Sequence, residues 1–222
     1  SKFNIFILDN GSGDEIYNNF KKKLNFSNLN IKLLYSDKNI GFTAGHNLLS
    51  KYILKMDFIF DYFLYLNSDC LLENKFFNKL TASNKLKGNV NYLFGFSTFT
   101  LSNFKYSHTF GFWNKYTGLS STKKYISPRL LRYGIYYPTG NALLLKRSIF
   151  YEIGFLDEDL FFYGDEVDLV LRLKNKNLKF HIFKNIKTFH DDGGSVKRNG
   201  ERYTAFSDFH SIRSSLLLIY KY

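Results

Sequence analysis

The sequence holds one cysteine, two prolines, one methionine and one tryptophan in 222 residues. Cys70 is the single thiol, so no disulfide can form within the chain, and a reducing compartment fits. The apolar fraction is 45% and the charged fraction 23%, which excludes disordered, collagen-like and disulfide-scaffold classes. No Gly-x-x-x-x-Gly-Lys-Ser/Thr loop, Gly-x-Ser-x-Gly elbow or Cys-x-x-Cys pair occurs, which removes P-loop, serine-hydrolase and zinc-ribbon readings. Long apolar runs are also missing. The longest uncharged stretch, Gly88 to Phe104, is rich in Asn, Ser and Thr and does not read as a membrane span. No signal-peptide pattern opens the sequence, so the expectation is a soluble or peripheral protein.

Aromatic residues and positive charge are plentiful. Phe (25) and Tyr (17) dominate an aromatic fraction of 19%, and the net charge is +12. Such a charge suits a solvated lysine-rich surface, an anionic membrane, a phosphate-rich ligand or nucleic acid. No helix concentrates Arg, so nucleic acid is not expected.

Short apolar runs alternate with helical stretches. Strands are expected over Phe3–Leu8, Ile31–Tyr35, Tyr62–Leu66, Tyr92–Phe96, Ala142–Leu145, Phe180–Phe183 and Ile186–Phe189. Helices are expected over Asp14–Leu24, Gly41–Lys55, Lys75–Leu86, Lys146–Ile153, Asp165–Asn175 and Phe206–Tyr220. Phe99–Tyr137 shows no clear period and reads as irregular structure or a β-excursion. Without repeats or linkers, one α/β domain is the economical reading, with a mostly parallel sheet flanked by helices.

Ligands of open α/β sheets sit beyond the carboxyl ends of the strands. Two of the expected strands end in an Asp-bearing segment. Asp9-Asn10-Gly11-Ser12-Gly13-Asp14 follows the first, and Asn67-Ser68-Asp69-Cys70 follows the third. A carboxylate in such a loop either caps the next helix or holds Mg2+ or Mn2+, which accept one or two protein carboxylates plus phosphate oxygens. Asp165-Glu166-Val167-Asp168 opens a helix, where the dipole favours negative charge. The same carboxylates also suit a general base tuned by a neighbour. His190, after the last strand, is a metal or phosphate ligand or a structural histidine.

Taken in order, these segments resemble the inverting family 2 glycosyltransferases of GT-A fold. Leu8–Asp14 reads L-D-N-G-S-G-D, Asn39–Asn47 reads N-I-G-F-T-A-G-H-N, and Leu66–Asp69 reads L-N-S-D. Gly140–Arg147 reads G-N-A-L-L-L-K-R, and Phe161–Arg172 reads F-F-Y-G-D-E-V-D-L-V-L-R, followed by His190 near Ser195. The similarity runs through nearly the whole chain and is nearest to rhamnosyl- and galactofuranosyl-type transferases of bacterial surface polysaccharides.

The resemblance implies a Rossmann-like GT-A fold over residues 1–222, with a nucleotide-binding half to residue 97 and an acceptor-binding half from residue 98. It also implies that the first strand of the usual fold is absent. Asp9, Asn10, Asn39, Gly41, Asn47, Asn67 and Ser68 would form the nucleotide side, and Thr139 and Gly140 the sugar and acceptor side. Asp69 and His190 would bind Mg2+ or Mn2+. The family usually places Glu-Asp where this chain has Asp165-Glu166, with the second residue as base, so Glu166 holds the base position and Asp165 stands beside it.

The donor would be a UDP- or dTDP-sugar and the acceptor a glycan or lipid-diphosphate-linked glycan. The implied location is the cytoplasm, with peripheral contact on the anionic inner face of the plasma membrane. Two other readings stay open: a non-catalytic nucleotide-sugar-binding domain of a larger synthase, and a nucleotidyltransferase.

Overall fold

The computed structural model describes residues 3–24, 30–88, 91–191 and 205–222. Their contacts divide into two compact units. The first comprises Ser1–Phe58 with Leu156–Phe162, and the second Ile59–Phe155 with Tyr163–Tyr222.

In the first unit, β1 (Ile5–Asn10) and β2 (Ile31–Ser36) pair in parallel, with Asp9 opposite Tyr35 and Asn10 opposite Ser36. Asp9 and Asn10 thus close the strand itself, rather than lying in a loop beyond Leu8. Between the strands runs α1 (Asp14–Leu24), with Asp14 and Glu15 in its first turn and Lys21 to Lys23 in its last. That order of charge complements the helix dipole. Tyr17 of α1 packs on Tyr35 of β2, ring centroids 4.7 Å apart.

The second helix of this unit, α2 (Phe42–Leu54), buries Thr43, Gly45, Asn47, Ser50 and Ile53. This small, polar face lets it lie close on β1, and a Cβ added at Gly45 would already be 3.3 Å from Leu8.

The second unit is built on a six-stranded sheet of β3 (Tyr62–Leu66), β4 (Cys70–Leu72), β5 (Asn91–Phe99), β6 (Tyr106–His108), β10 (Ala142–Lys146) and β11 (Lys179–His190). The order is β3-β10-β5-β11-β4, with β6 also on β5. The α/β architecture expected from the sequence is present, but the sheet is mixed rather than mostly parallel. β10 runs antiparallel to both β3 and β5, and β4 antiparallel to β11, while β5 and β11 are parallel. An apolar pattern marks a strand as buried without fixing its direction, which follows from the connections.

β5 is the most enclosed strand, and its Phe94 and Phe96 join Phe76, Leu144, Phe183 and Ile186 in one core. Phe94 and Phe183 stack 5.7 Å apart, so part of the aromatic excess fills the interior.

Phe99–Tyr137 is a β-excursion. After β6 it forms a three-stranded antiparallel sheet, β7 (Phe110–Asn114), β8 (Ser120–Lys123) and β9 (Gly134–Tyr137), in the order β8-β7-β9. The expected helix Lys75–Leu86 is broken into α3 (Phe76–Thr81) and a 3-10 turn at Asn84–Leu86. The side chain of Ser83 accepts from Lys85 N and caps that turn, which competes with continuing the helix. The two short strands expected near residues 180–189 are one strand, β11, whose register on β5 shifts between Phe183 and Lys187. Helices α4 (Ile149–Glu152), α5 (Asp165–Asn175) and α6 (Ala205–Lys221) complete the unit. No helix among the described residues is long and apolar enough to cross a membrane.

Candidate active site

In the first unit the side chains of Asn10 and Asn39 meet. Asn10 Nδ2 donates to Asn39 Oδ1 (3.2 Å) and to Gly41 O (3.0 Å), while Asn10 Oδ1 accepts from Ile40 N (3.0 Å). Asn39 Oδ1 accepts from Gly41 N (2.9 Å). The amides therefore fix the path of residues 39–41 beside the end of β1. Gly41 has φ 90°, and a Cβ there would lie 2.6 Å from the Phe161 ring, so only glycine fits both the backbone and the neighbour. Asp9 is nearly buried, and its Oδ1 accepts from Ser12 N (2.8 Å), a turn cap.

Asn47 is buried. Its Nδ2 donates to Leu156 O (2.8 Å) and Glu158 Oε1 (2.9 Å), and its Oδ1 accepts from Leu156 N (2.9 Å). All of these bonds hold residues 156–158 onto α2, so Asn47 shapes its unit and presents no free polar edge to a ligand.

In the second unit β3 ends at Leu66, and Asn67-Ser68-Asp69 turns the chain into β4, Cys70 N donating to Asn67 O (3.1 Å). β4 pairs with β11 so that Cys70 stands opposite His190. This pairing brings Asp69 Oδ1 to 3.2 Å from His190 Nε2, with both side chains partly accessible. Two ligands at adjacent corners of an octahedral site with metal–ligand bonds of 2.0–2.1 Å stand about 3.0 Å apart. The pair fits a small divalent cation. Among the described residues no cluster of three His, Cys, Asp or Glu is found. Two protein ligands with the remaining positions left to water and phosphate is the usual Mg2+ arrangement. Ser68 is exposed at the turn. Asp191 Oδ1 accepts from Leu101 N and Ser102 N (2.9 and 3.3 Å), and the Gly193-Gly194-Ser195 part of that motif lies outside the described residues.

A buried amide that the sequence reading passed over ties this turn to its surroundings. Asn141 O accepts from Asn67 N (3.1 Å), and Asn141 Nδ2 donates to Thr188 Oγ1 (2.9 Å). Asn141 Oδ1 accepts from Thr139 Oγ1 (3.1 Å) and Thr98 Oγ1 (3.3 Å). Thr139 is thus held by the Asn141 side chain and the metal-type turn by the Asn141 backbone carbonyl. The buried Cys70 thiol is pushed up to about 11 by desolvation and is not a nucleophile.

Gly140 faces the carboxylate pair. A Cβ at Gly140 would overlap Glu166 Oε1, and the Gly140 backbone hydrogen-bonds the Glu166 carboxylate. Asp165 opens α5 and is buried, while Glu166 keeps partial exposure. Burial raises both pKa values, that of Asp165 well above the ordinary carboxylate range, where the neighbouring Glu166 charge adds to the effect. The hydrogen bond between the two side chains raises Asp165 and lowers Glu166. The two carboxyls titrate as a unit and hold their protons to higher pH than free carboxyls do. Tyr137 of β9 is the third member, its phenol raised by burial and by the Glu166 charge. Its signal was hidden in an aromatic stretch without period.

No protein-family model matches the chain, and no curated protein matches it in sequence. Among solved structures it is similar to GalNAc-T7 with UDP, GalNAc and Mn2+, with TM-score 0.64 and 14% identity over 95% of this chain and 41% of that one. It is also similar to the mannosyltransferase PcManGT from Pyrobaculum calidifontis in complex with GDP-Man and Mn2+, with TM-score 0.58 and 11% identity over 89% of this chain and 49% of that one. The chain has the GT-A fold. It spans less than half the length of both solved chains.

Proposed function

We propose that the chain is the catalytic domain of an inverting glycosyltransferase of family 2, of the rhamnosyl- or galactofuranosyl-type. It would move a sugar from a UDP- or dTDP-sugar to a hydroxyl of a glycan or lipid-diphosphate-linked glycan, in bacterial surface polysaccharide synthesis at the cytoplasmic face of the plasma membrane. The observation that carries this reading is the Asp165–Glu166 pair, with Glu166 seated against Gly140. The two similar solved structures support its nucleotide-sugar and metal parts, since GalNAc-T7 holds UDP and Mn2+ and PcManGT holds GDP-Man and Mn2+.

Glu166 takes the proton of the acceptor hydroxyl as its oxygen attacks the anomeric carbon. The bond from that carbon to the diphosphate oxygen breaks, and the nucleoside diphosphate leaves. Asp165 keeps its own proton and donates a hydrogen bond to Glu166, which holds the carboxylate in place. A raised pKa makes the Glu166 carboxylate a stronger base, as proton abstraction near neutral pH requires. Asp69 and His190 would hold Mg2+ or Mn2+, which supplies charge neutralisation for the diphosphate. Asn141, by fixing both the Asn67–Asp69 turn and Thr139, keeps donor and acceptor sides in register.

Calorimetry with UDP-, dTDP- and GDP-sugars, with Mn2+ and with EDTA, tests the donor side. Turnover of the nucleotide that binds, by Glu166→Gln and by Asp165→Asn, tests the base. Glu166→Gln is expected to bind donor normally and lose about 10²–10⁴-fold in kcat. Full activity in both variants removes the assignment.

A further inference from the structure

The positive charge is concentrated in one part of the chain. No acidic residue occurs between Glu73 and Glu152, and that interval holds nine Lys and three Arg, as many positive charges as the net +12 of the whole sequence. The interval includes the three-stranded sheet. Lys115, Lys124, Arg129 and Arg132 are exposed there, in the β7–β8 turn and the β8–β9 connection. Exposed apolar and aromatic side chains stand among them: Tyr116, Leu119 (68% exposed), Tyr125 (75%) and Leu131. The Lys115 ammonium lies over the Tyr116 ring (5.0 Å) and the Arg132 guanidinium over the Tyr133 ring (4.6 Å).

The β7–β8 turn is continuous with α6. A Cβ at Gly118 would lie 2.8 Å from Ile219 and 3.1 Å from Ser215. The outer stripe of α6 is apolar, and Phe209, Ile212, Arg213, Leu216, Leu217 and Tyr220 line an open hollow of ≈ 470 Å³.

We propose that residues 115–133 and the outer face of α6 dock on an anionic lipid bilayer. Basic heads interleaved with Tyr and Leu suit the headgroup boundary, where charge meets phosphate and the rings and methyls reach the acyl layer. A second copy is disfavoured as occupant, because a two-fold interface would set the acid-free, basic residues 115–133 against their own copies. A soluble polyanion would pair with the charges and leave Leu119, Leu131 and Leu216 in water.

The face also borders the proposed site. Ser120 of β8 hydrogen-bonds the Tyr137 phenol, and the Glu166 charge acts on that same phenol. A lipid-linked acceptor held at the bilayer is thus one side chain from the base. The inference gives a surface to the membrane contact in the proposed function and rests on that reading for its purpose. Its residues lie outside the carboxylate pair, so vesicle binding and donor binding are measured independently.

The test is co-sedimentation of the full chain with phosphatidylcholine vesicles with and without phosphatidylglycerol, at low and high salt. Binding to the anionic vesicles alone, weakened by salt, is expected. Removing two charges in Lys124→Gln with Arg129→Gln should lower partitioning about 25-fold, at roughly fivefold per charge. Leu119→Ser with Leu216→Ser should weaken binding without changing its salt slope. Donor affinity should be unchanged in all of these variants. No vesicle binding, equal binding to neutral vesicles, or a dimer in light scattering that Leu119→Ser dissolves would overturn the proposal. Since the lipid and salt comparisons use the unmodified chain, a variant that misfolds does not decide the result.

Discussion

Gly140 and Glu166 are fitted to each other, a Cβ at Gly140 overlapping Glu166 Oε1. The close approach lets the Gly140 backbone hold the carboxylate that the proposed reaction uses as base. The obstructing atom is the tip of a flexible side chain, so Gly140→Ala displaces the carboxylate at little cost to the fold. The expected outcome is a kcat lower by about 10- to 100-fold, in line with a misplaced catalytic group. Thermal stability and donor affinity should stay near those of the unmodified chain. A large fall in melting temperature would show that Gly140 serves backbone geometry instead.

The buried Asp165 makes stability depend on pH in a known direction. Its pKa in the folded chain is raised well above 3.8, so the folded state holds a proton that the unfolded state has released. Stability from this group is complete below the ordinary Asp range and is lost as pH rises through the folded value. Asp165→Asn removes the titration while keeping a hydrogen bond to Glu166. The variant should unfold at a higher urea midpoint than the unmodified chain near neutral pH. The difference should shrink towards acid pH, and urea titrations at several pH values between acid and neutral read it directly.

Asp168, one turn along α5 from the pair, has a different task. It is fully buried and meets Arg172 Nε and Nη2 (2.7 and 2.6 Å), Lys221 Nζ (2.6 Å) and Tyr222 OH (2.6 Å). Arg172 also donates to Ile153 O and Phe155 O. One carboxylate therefore ties α6 and the segment after α4 to α5. Asp168→Asn leaves the Arg172 charge without its counter-ion, and such losses in buried pairs cost about 3 kcal/mol or more. Urea denaturation of Asp168→Asn should show that loss, and Tyr222→Phe a loss of about 1 kcal/mol.

Much of this was legible in the sequence, and what was not has physical causes. Asp14–Leu24 and Asp165–Asn175 match helices α1 and α5, because acidic first turns and basic last turns announce both ends. Tyr62–Leu66 matches β3 because an apolar run stops at Asn67. Phe99–Tyr137 was legible as irregular structure or a β-excursion but not as three strands, because β7 is buried at four consecutive positions and shows no alternation. The carboxylates and His190 were visible as residue types, and only pairing across β4 and β11 shows that Asp69 and His190 meet. Asn141 stood inside the Gly140–Arg147 motif without a role of its own, because only the fold shows its side chain meeting Thr188 and Thr139.

The meeting of Asp69 and His190 gives the last prediction. Their atoms are 3.2 Å apart, His190 at the end of β11 and Asp69 in the turn that leads directly into β4, the strand paired with β11. A divalent ion bound there, with water and phosphate in its other positions, makes nucleotide affinity metal-dependent. Asp69→Asn and His190→Ala should each weaken nucleotide binding in Mn2+ at least tenfold, while binding in EDTA stays the same in all three proteins. Because both residues act through one ion, the double variant should lose little more than the worse single one. Electron paramagnetic resonance of Mn2+ with each protein supplies a readout that needs no turnover. Unchanged Mn2+ binding in both variants would place the ion elsewhere and leave the pair as a hydrogen bond that closes the Asn67–Cys70 turn.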